Sequence, residues 1–287
     1  MDIRVNEVAN CTYDLPMPGD HQPSQPVDYR SVSTWQQPDP PAASSSRLEV
    51  IGEIADRIVQ LSSGRLRVAV DGRAGAGKTS FGHELGAAIR RRGRPTLRAS
   101  FDDFKHPWRH AREHGYDRTS GAGYYRNAYD FESARELLLR PSAPDGDGMV
   151  VLCAHDPLTG KDHRQEVVLA PPDSVLIVDS VFAFRPEYDE FWDYRIRLEV
   201  DPAVALERGV YRDESREGAE EAARVHRERY GIAEELYIFE VGPRERADLV
   251  LENSDLSGIH ILSARERGPG LSEIRSDPAR IQMEGHP

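Results

Sequence analysis

Lys78 and Thr79 close a glycine-rich run, Gly72-Arg73-Ala74-Gly75-Ala76-Gly77-Lys78-Thr79-Ser80, directly after the apolar residues Val68, Ala69 and Val70. Gly72, Gly77, Lys78 and Thr79 satisfy the pattern G-x-x-x-x-G-K-[ST], which needs a strand before it and a helix after it. Gly72, Gly75 and Gly77 let the backbone curl so that successive N–H groups point inward at phosphate oxygens, a concavity that side chains would obstruct. The following helix adds the partial positive charge of its N-terminus. The residues from Gly72 to Ser80 are therefore the expected cradle of a polyphosphate. Lys78 supplies a mobile charge for the β- and γ-phosphates, and the Thr79 hydroxyl is an expected ligand of Mg²⁺. A chance glycine-rich turn followed by Lys-Thr has no reason to sit between a strand and a helix.

Two further sets of carboxylates stand where such a site needs them. Residues 94 to 101 read as a strand whose end delivers Phe101-Asp102-Asp103-Phe104. In open parallel sheets, strand ends beside a phosphate loop form the ligand crevice. Adjacent strand residues point to opposite faces, so only one of Asp102 and Asp103 can enter it. Val175-Leu176-Ile177-Val178-Asp179 reads as a buried parallel strand ending in an acid that can hold a metal directly or through water. A helix beginning at Pro202 carries Arg208, Arg212 and Arg216 at a spacing of four, hence on one face. They suit a lid that closes on phosphates, with pairing to Glu207, Asp213, Glu214 and Glu217 as the competing role.

The elements that must position these groups alternate as α/β. Ser44 to Ser63 carries Ile51, Ile54, Ile58 and Leu61 at helical spacing, and residues 78 to 92 continue the phosphate loop as a helix with Phe81, Leu85, Ala88 and Ile89 inward. Arg90, Arg91 and Arg92 end that helix, where they suit its dipole. Residues 105 to 126, rich in His, Arg, Gly and Tyr, read as a long loop, of the kind that is either functional or disordered. Asp130 precedes a helix over 131 to 140 and is either its N-cap or a site residue. Runs 149 to 153 and 165 to 169 read as a hairpin whose polar tip holds His155, His163 and Arg164. Residues 194 to 200 and 248 to 252 are further strands, and Asn253 lies in the exit turn of the last.

Of 287 residues, 38% are hydrophobic, enough for one α/β domain, expected over 46 to 260. Residues 1 to 45 carry seven prolines and no periodic apolar pattern, so they read as a disordered tail, as do 261 to 287. Docking of Tyr13, Tyr29 or Trp35 on the domain or on another protein is the alternative for the first tail. A net charge of -12 argues against a nucleic-acid or anionic-membrane partner. With neither a membrane-spanning apolar run nor a signal-peptide pattern, a cytoplasmic location is expected, and Cys11 and Cys153 read as reduced thiols. Oligomeric state is not legible.

As a set, the phosphate loop, Phe-Asp-Asp-Phe, the Asp179 strand end, Arg-x-x-x-Arg-Asp over 208 to 213 and Ala-Asp-Leu-Val-Leu-Glu-Asn resemble the uridine kinase, phosphoribulokinase and pantothenate kinase group of P-loop kinases, over about 47 to 258. The resemblance implies a nucleoside-kinase-like P-loop NTPase fold: three layers, α/β/α, around a mostly parallel sheet, with a β-hairpin acceptor flap and a helical lid. It implies ATP or GTP with Mg²⁺. Asp102 would face the acceptor hydroxyl as base or orienting group, Thr79 and Asp179 would serve the metal, Arg212 and Arg216 would neutralise the transferred phosphoryl group, and Asn253 would pass the adenine. Asp130 matches a carboxylate that binds ribose hydroxyls, and His155, His163 and Arg164 stand in for a segment that contacts uracil. The tyrosine of that segment is missing here and the second histidine is out of register.

These residues lead to a kinase acting on a hydroxyl of a nucleoside-like acceptor. Pantothenate, a sugar or a secondary metabolite is the alternative acceptor, and a regulatory P-loop ATPase is the alternative of another class. A GTPase would carry Asn-Lys-x-Asp after a late strand, and Glu252-Asn253-Ser254-Asp255 lacks the lysine.

Overall fold

The central strands are buried on both faces, and their side chains alternate between two cores, which sets the layers. The computed structural model describes residues 26–35 and 42–265. Its main sheet holds seven strands: β1 (Asp28–Arg30), β2 (Leu66–Gly72), β3 (Thr96–Ser100), β6 (Val175–Ser180), β7 (Tyr194–Glu199), β8 (Leu249–Glu252) and β9 (His260–Ala264), in the order β1-β3-β6-β2-β7-β8-β9. All neighbours are parallel except β8 and β9. β4 (Met149–Val151) and β5 (Val167–Leu169) form a separate antiparallel hairpin, as their sequence suggests.

Along β2, Val68 and Val70 join one core while Ala69 joins the other. The first core is closed by α1 (Ser45–Val59) and α2 (Lys78–Arg90), whose Ile51, Ile54, Ile58, Phe81, Leu85 and Ile89 are buried as their spacing requires. Ser44 caps α1 by accepting the Arg47 N–H. The second core is aromatic and lies beneath α4 (Gly121–Asn127), α5 (Phe131–Ala134) and α8 (Ile232–Val241). The remaining helices are α3 (Trp108–His114), the lid pair α6 (Pro202–Glu217) and α7 (Ala219–Val225), and α9 (Pro243–Arg246). The result is the three-layer α/β/α P-loop NTPase fold with hairpin and helical lid.

Three expectations change. The segment 105 to 126 is not a loop: it folds as α3 and α4, and Tyr124 and Tyr125 are buried against Phe182. Residues 26 to 35 lie inside the fold, because β1 pairs with the otherwise open edge of β3, and Arg90 reaches Asp28 at 2.7 Å. At the other edge β9 joins β8 within 261 to 264, so these residues belong to the sheet and not to the expected tail. Residues 1–25, 36–41 and 266–287, with Tyr13 and Cys11, lie outside the described residues. Cys153 is a buried free thiol whose pKa burial pushes well up.

Candidate active site

The phosphate loop leaves β2 at Gly72 and enters α2 through Gly77, whose φ of 82° only glycine adopts readily. Gly75 also has a positive φ, and a Cβ there would collide with the Ala205 carbonyl of the first lid helix. The loop therefore touches the base of the lid. Ala74, Lys78 and Thr79 line a cavity of about 690 Å³ together with Asp102, Asp179 and Arg212. Gly72 and Ala76 are buried beneath it; Arg73 leans outward to Glu234, and Ser80 continues α2.

Thr79 Oγ1 donates to Asp179 Oδ2 at 2.9 Å, so the two expected metal-facing residues meet. Asp179 Oδ1 is held by Arg98 at 2.8 Å, with both side chains nearly buried. Hydroxyl and carboxylate oxygens are the hard donors Mg²⁺ takes. Among the described residues no cluster of three or more His, Cys, Asp or Glu is arranged to hold a metal ion. An ion here would complete its shell with phosphate oxygens and water, with Asp179 acting through water because Arg98 and Thr79 already engage it.

Lys78 is buried, and its Nζ donates to the Arg73 carbonyl at 2.7 Å. Burial lowers its pKa, opposed by Asp179, Glu234 and Asp102. A carboxylate absent from the sequence-derived site sits across the loop: Glu234 of α8 accepts the Ala74 N–H at 2.5 Å and lies 3.6 Å from Arg73. It is buried, and burial raises its pKa. A carboxyl oxygen thus already accepts from one of the loop amides. Nothing local to Glu234 in the sequence announces this role.

The Asp pair separates. Both lie in a 3₁₀ turn, Phe101–Phe104, after β3. Asp102 opens to the cavity, where its Oδ1 accepts from Lys105 at 2.8 Å and from the Tyr129 hydroxyl at 3.3 Å. Burial pushes its pKa up, but Lys105, Lys78 and Arg212 outweigh that and hold it below the ordinary carboxylate value. Asp103 turns away and is buried, accepting from Ser31 Oγ at 2.6 Å, with its carboxyl pushed up to about 7 chiefly by burial.

On the lid, Asp213 gathers Arg212 at 2.8 Å, Arg216 at 3.2 Å and His226 Nε2 at 2.8 Å. Arg212 and Arg216 line the cavity beneath Trp35, whose ring centroid lies 5.4 and 4.8 Å from their guanidinium carbons. Trp35 thus docks on the domain. Arg208, on the same helix, turns instead to the carbonyls of Asn253 and Ser254.

Three expected contacts are placed elsewhere. Asn253 is fully buried; its amide donates to the Ala76 carbonyl at 2.8 Å and its Oδ1 accepts from Arg47 at 2.8 Å. It braces the phosphate loop from behind and has no surface for an adenine. Asp130 is the N-cap of α5, accepting the Ser133 N–H at 3.0 Å and its hydroxyl at 2.7 Å, and it does not line the cavity. His163 is buried against Glu166 at 2.7 Å, also away from the cavity. His155 and Arg164 do line it; Arg164 pairs with Asp162, and His155 Nδ1 is buried without a partner.

No family model matches the chain, and no curated protein does. Solved structures do match its fold. A possible uridine kinase from Bacillus stearothermophilus is 24% identical over 70% of this chain and 97% of its own, with a TM-score of 0.54. A candidate fructose transport system kinase from Silicibacter sp. TM1040 is 22% identical over 67% of this chain and 94% of its own, with a TM-score of 0.52. The YGR205w protein is 14% identical over 76% and 99%, with a TM-score of 0.52. At these identities the likeness is one of fold, and it agrees with the layers and topology seen here. No helix among the described residues is long and apolar enough to cross a membrane.

Proposed function

We propose that the chain is a kinase that transfers the γ-phosphoryl group of ATP to a hydroxyl of a small polar metabolite. The observation that carries this reading is the convergence of Lys78, the Thr79–Asp179 pair, Asp102 and the lid arginines on one cavity. A loose phosphoryl transition state needs positioning and charge neutralisation more than a strong base. Lys78, Arg212 and Arg216 supply positive charge for the transferred group, and Asp102, ionised below neutral pH, orients the acceptor hydroxyl and takes its proton late. Mg²⁺ near Thr79 and Asp179 would neutralise charge on the β- and γ-phosphates. GTP is the alternative donor.

A regulatory ATPase has little use for Asp102 beside the phosphate loop. Among acceptors, a nucleoside loses its expected ribose partner, because Asp130 is engaged as a helix cap. Pantothenate, a sugar or another alcohol fits the same machinery. The test is ADP release in a coupled assay over nucleosides, pantothenate and sugar alcohols, with the product identified by a mass gain of one phosphoryl group. Asp102→Asn should cut transfer at least about 100-fold while nucleotide affinity stays within about 2-fold. If Asp103→Asn does this instead, the orientation of the acid pair is wrong.

A further inference from the structure

The acceptor wall of the cavity carries more positive charge than its own carboxylates neutralise. Arg109 pairs with Glu113, Arg164 with Asp162, and Arg212 and Arg216 with Asp213. Asp156 spends its oxygens on the N–H groups of Thr34, Leu158 and Thr159. Arg112, Arg118 and Arg229 remain, and none has a carboxylate within 4.0 Å among the described residues. Arg118 is only 4% exposed, and its Nε is buried with no hydrogen-bond partner. Its guanidinium carbon lies 4.5 Å from the ring centroid of Trp108, and that of Arg229 lies 6.0 Å from the same ring. Arg229 Nε holds the Thr119 carbonyl at 3.0 Å, and one nitrogen of Arg118 holds the His106 carbonyl.

Guanidinium groups on one cavity with no carboxylate in ion-pair contact, one of them buried, are costly in a chain free to place acids beside them. This chain has 49 acidic residues and a net charge of -12, yet it leaves these groups unmatched. An anionic ligand supplies the missing charge, and the planar fork of Arg118 suits two oxygens of one group. These groups line the same cavity as Asp102, so an anion seated there belongs to the molecule whose hydroxyl meets Asp102.

We propose that the acceptor is an alcohol bearing its own anionic group, a carboxylate or a phosphate, bound by Arg118 with Arg112 and Arg229. The hydroxyl's part in this rests on the kinase reading; the anion subsite does not.

The test uses the full chain saturated with Mg²⁺ and a non-hydrolysable ATP analogue, titrated by calorimetry with two matched pairs: glycerate against glycerol, and ribose 5-phosphate against ribose. At least one anionic member should bind saturably and at least about 10-fold tighter than its neutral partner. Arg118→Gln and Arg229→Gln should each weaken it about 10-fold or more, as expected for a lost charge-assisted contact. Binding of glycerate alone assigns a carboxylate; binding of ribose 5-phosphate alone assigns a phosphate. Because Arg118 is buried, Arg112→Gln, at an exposed position, provides a variant whose fold is not at stake and should weaken the same ligand. The inference is overturned if neither anion binds saturably, if the neutral partners bind as well, or if the variants that fold keep full anion affinity. Failure of the kinase reading shows separately, as no binding of the ATP analogue or no phosphorylation of a bound anionic alcohol by ATP, and leaves the anion titration readable.

Discussion

At the scale of single residues, the site's carboxylates differ in what they do with their charge. Glu234 places an acid against the loop that must accept a polyphosphate, with its oxygen on the Ala74 N–H. An incoming phosphate competes with it and is repelled by it. Glu234→Gln keeps an acceptor for the amide and removes the charge, so nucleotide should bind roughly 3- to 10-fold tighter in a calorimetric titration, a gain of about 1 kcal/mol. An unchanged or weaker affinity would mean the side chain never shares space with the phosphates. Asp103 has the opposite character, being buried and protonated up to about pH 7 by the cost of desolvating its charge. Between the unfolded value near 3.8 and about 7, the folded state binds the extra proton, so stability falls as pH rises through this window and levels off above it. Asp103→Asn removes that dependence. Its unfolding free energy relative to the parent should improve by about 2 to 3 kcal/mol between pH 5 and pH 8, at ~1.4 kcal/mol for each pH unit crossed below the folded value. A constant difference across that range would show that Asp103 is ionised in the fold.

Among elements, the strap from residue 26 to 35 links the sheet edge to the lid. β1 adds to β3, Ser31 holds Asp103, the Thr34 N–H meets Asp156 at 2.6 Å, and Trp35 lies over Arg212 and Arg216. Each cation–π contact is worth about 0.5–1 kcal/mol at a partly exposed site, enough to hold two flexible arginines toward the cavity. Trp35→Ala should therefore weaken nucleotide binding about 3- to 10-fold while the thermal midpoint moves by about 2 °C or less, since the ring is only half-buried. Unchanged affinity would reduce the strap to a sheet edge. This strap was not legible as structure, because a three-residue edge strand leaves no periodic pattern amid prolines. α3 and α4 were missed for a related reason: the residues that bury Tyr124 and Tyr125, namely Phe182, Tyr230 and Tyr237, come from distant parts of the chain. The strand ends that carry the glycine-rich loop, Asp102 and Asp179 to one cavity were legible because each is a local pattern, an apolar strand followed by a turn. For Asp130 the sequence leaves helix cap and ligand contact equally open, and for Asn253 it does not reveal the brace behind the loop, because capping a helix or bracing a loop uses the same residue types as ligand binding.

Across the whole molecule, the cavity concentrates ionisable groups that folding alone would not select. Lys78 and Glu234 are both buried, and burial drives each toward its neutral form. A buried cation such as Lys78 costs stability when the site is empty and regains it when a ligand of opposite charge arrives, whereas Glu234 gains nothing from a phosphate. Lys78→Ala removes one buried cation along with its bond to the Arg73 carbonyl, so without nucleotide the variant should melt within about 2 °C of the parent or above it. The parent, in Mg²⁺ and ATP at about 100 times its dissociation constant, gains roughly 2.7 kcal/mol by linkage. For a domain of this size that corresponds to a rise of about 5 °C, at ~2–4 °C per kcal/mol and discounted for the larger chain. The variant should lose most of that rise, because the β- and γ-phosphates lose their fixed counter-charge. Differential scanning fluorimetry of both proteins, with and without Mg²⁺ and ATP, separates the two effects. If the variant is strongly destabilised without nucleotide, Lys78 is a structural cation. If it keeps the full ligand-induced rise, the polyphosphate does not rest on the loop from Gly72 to Thr79.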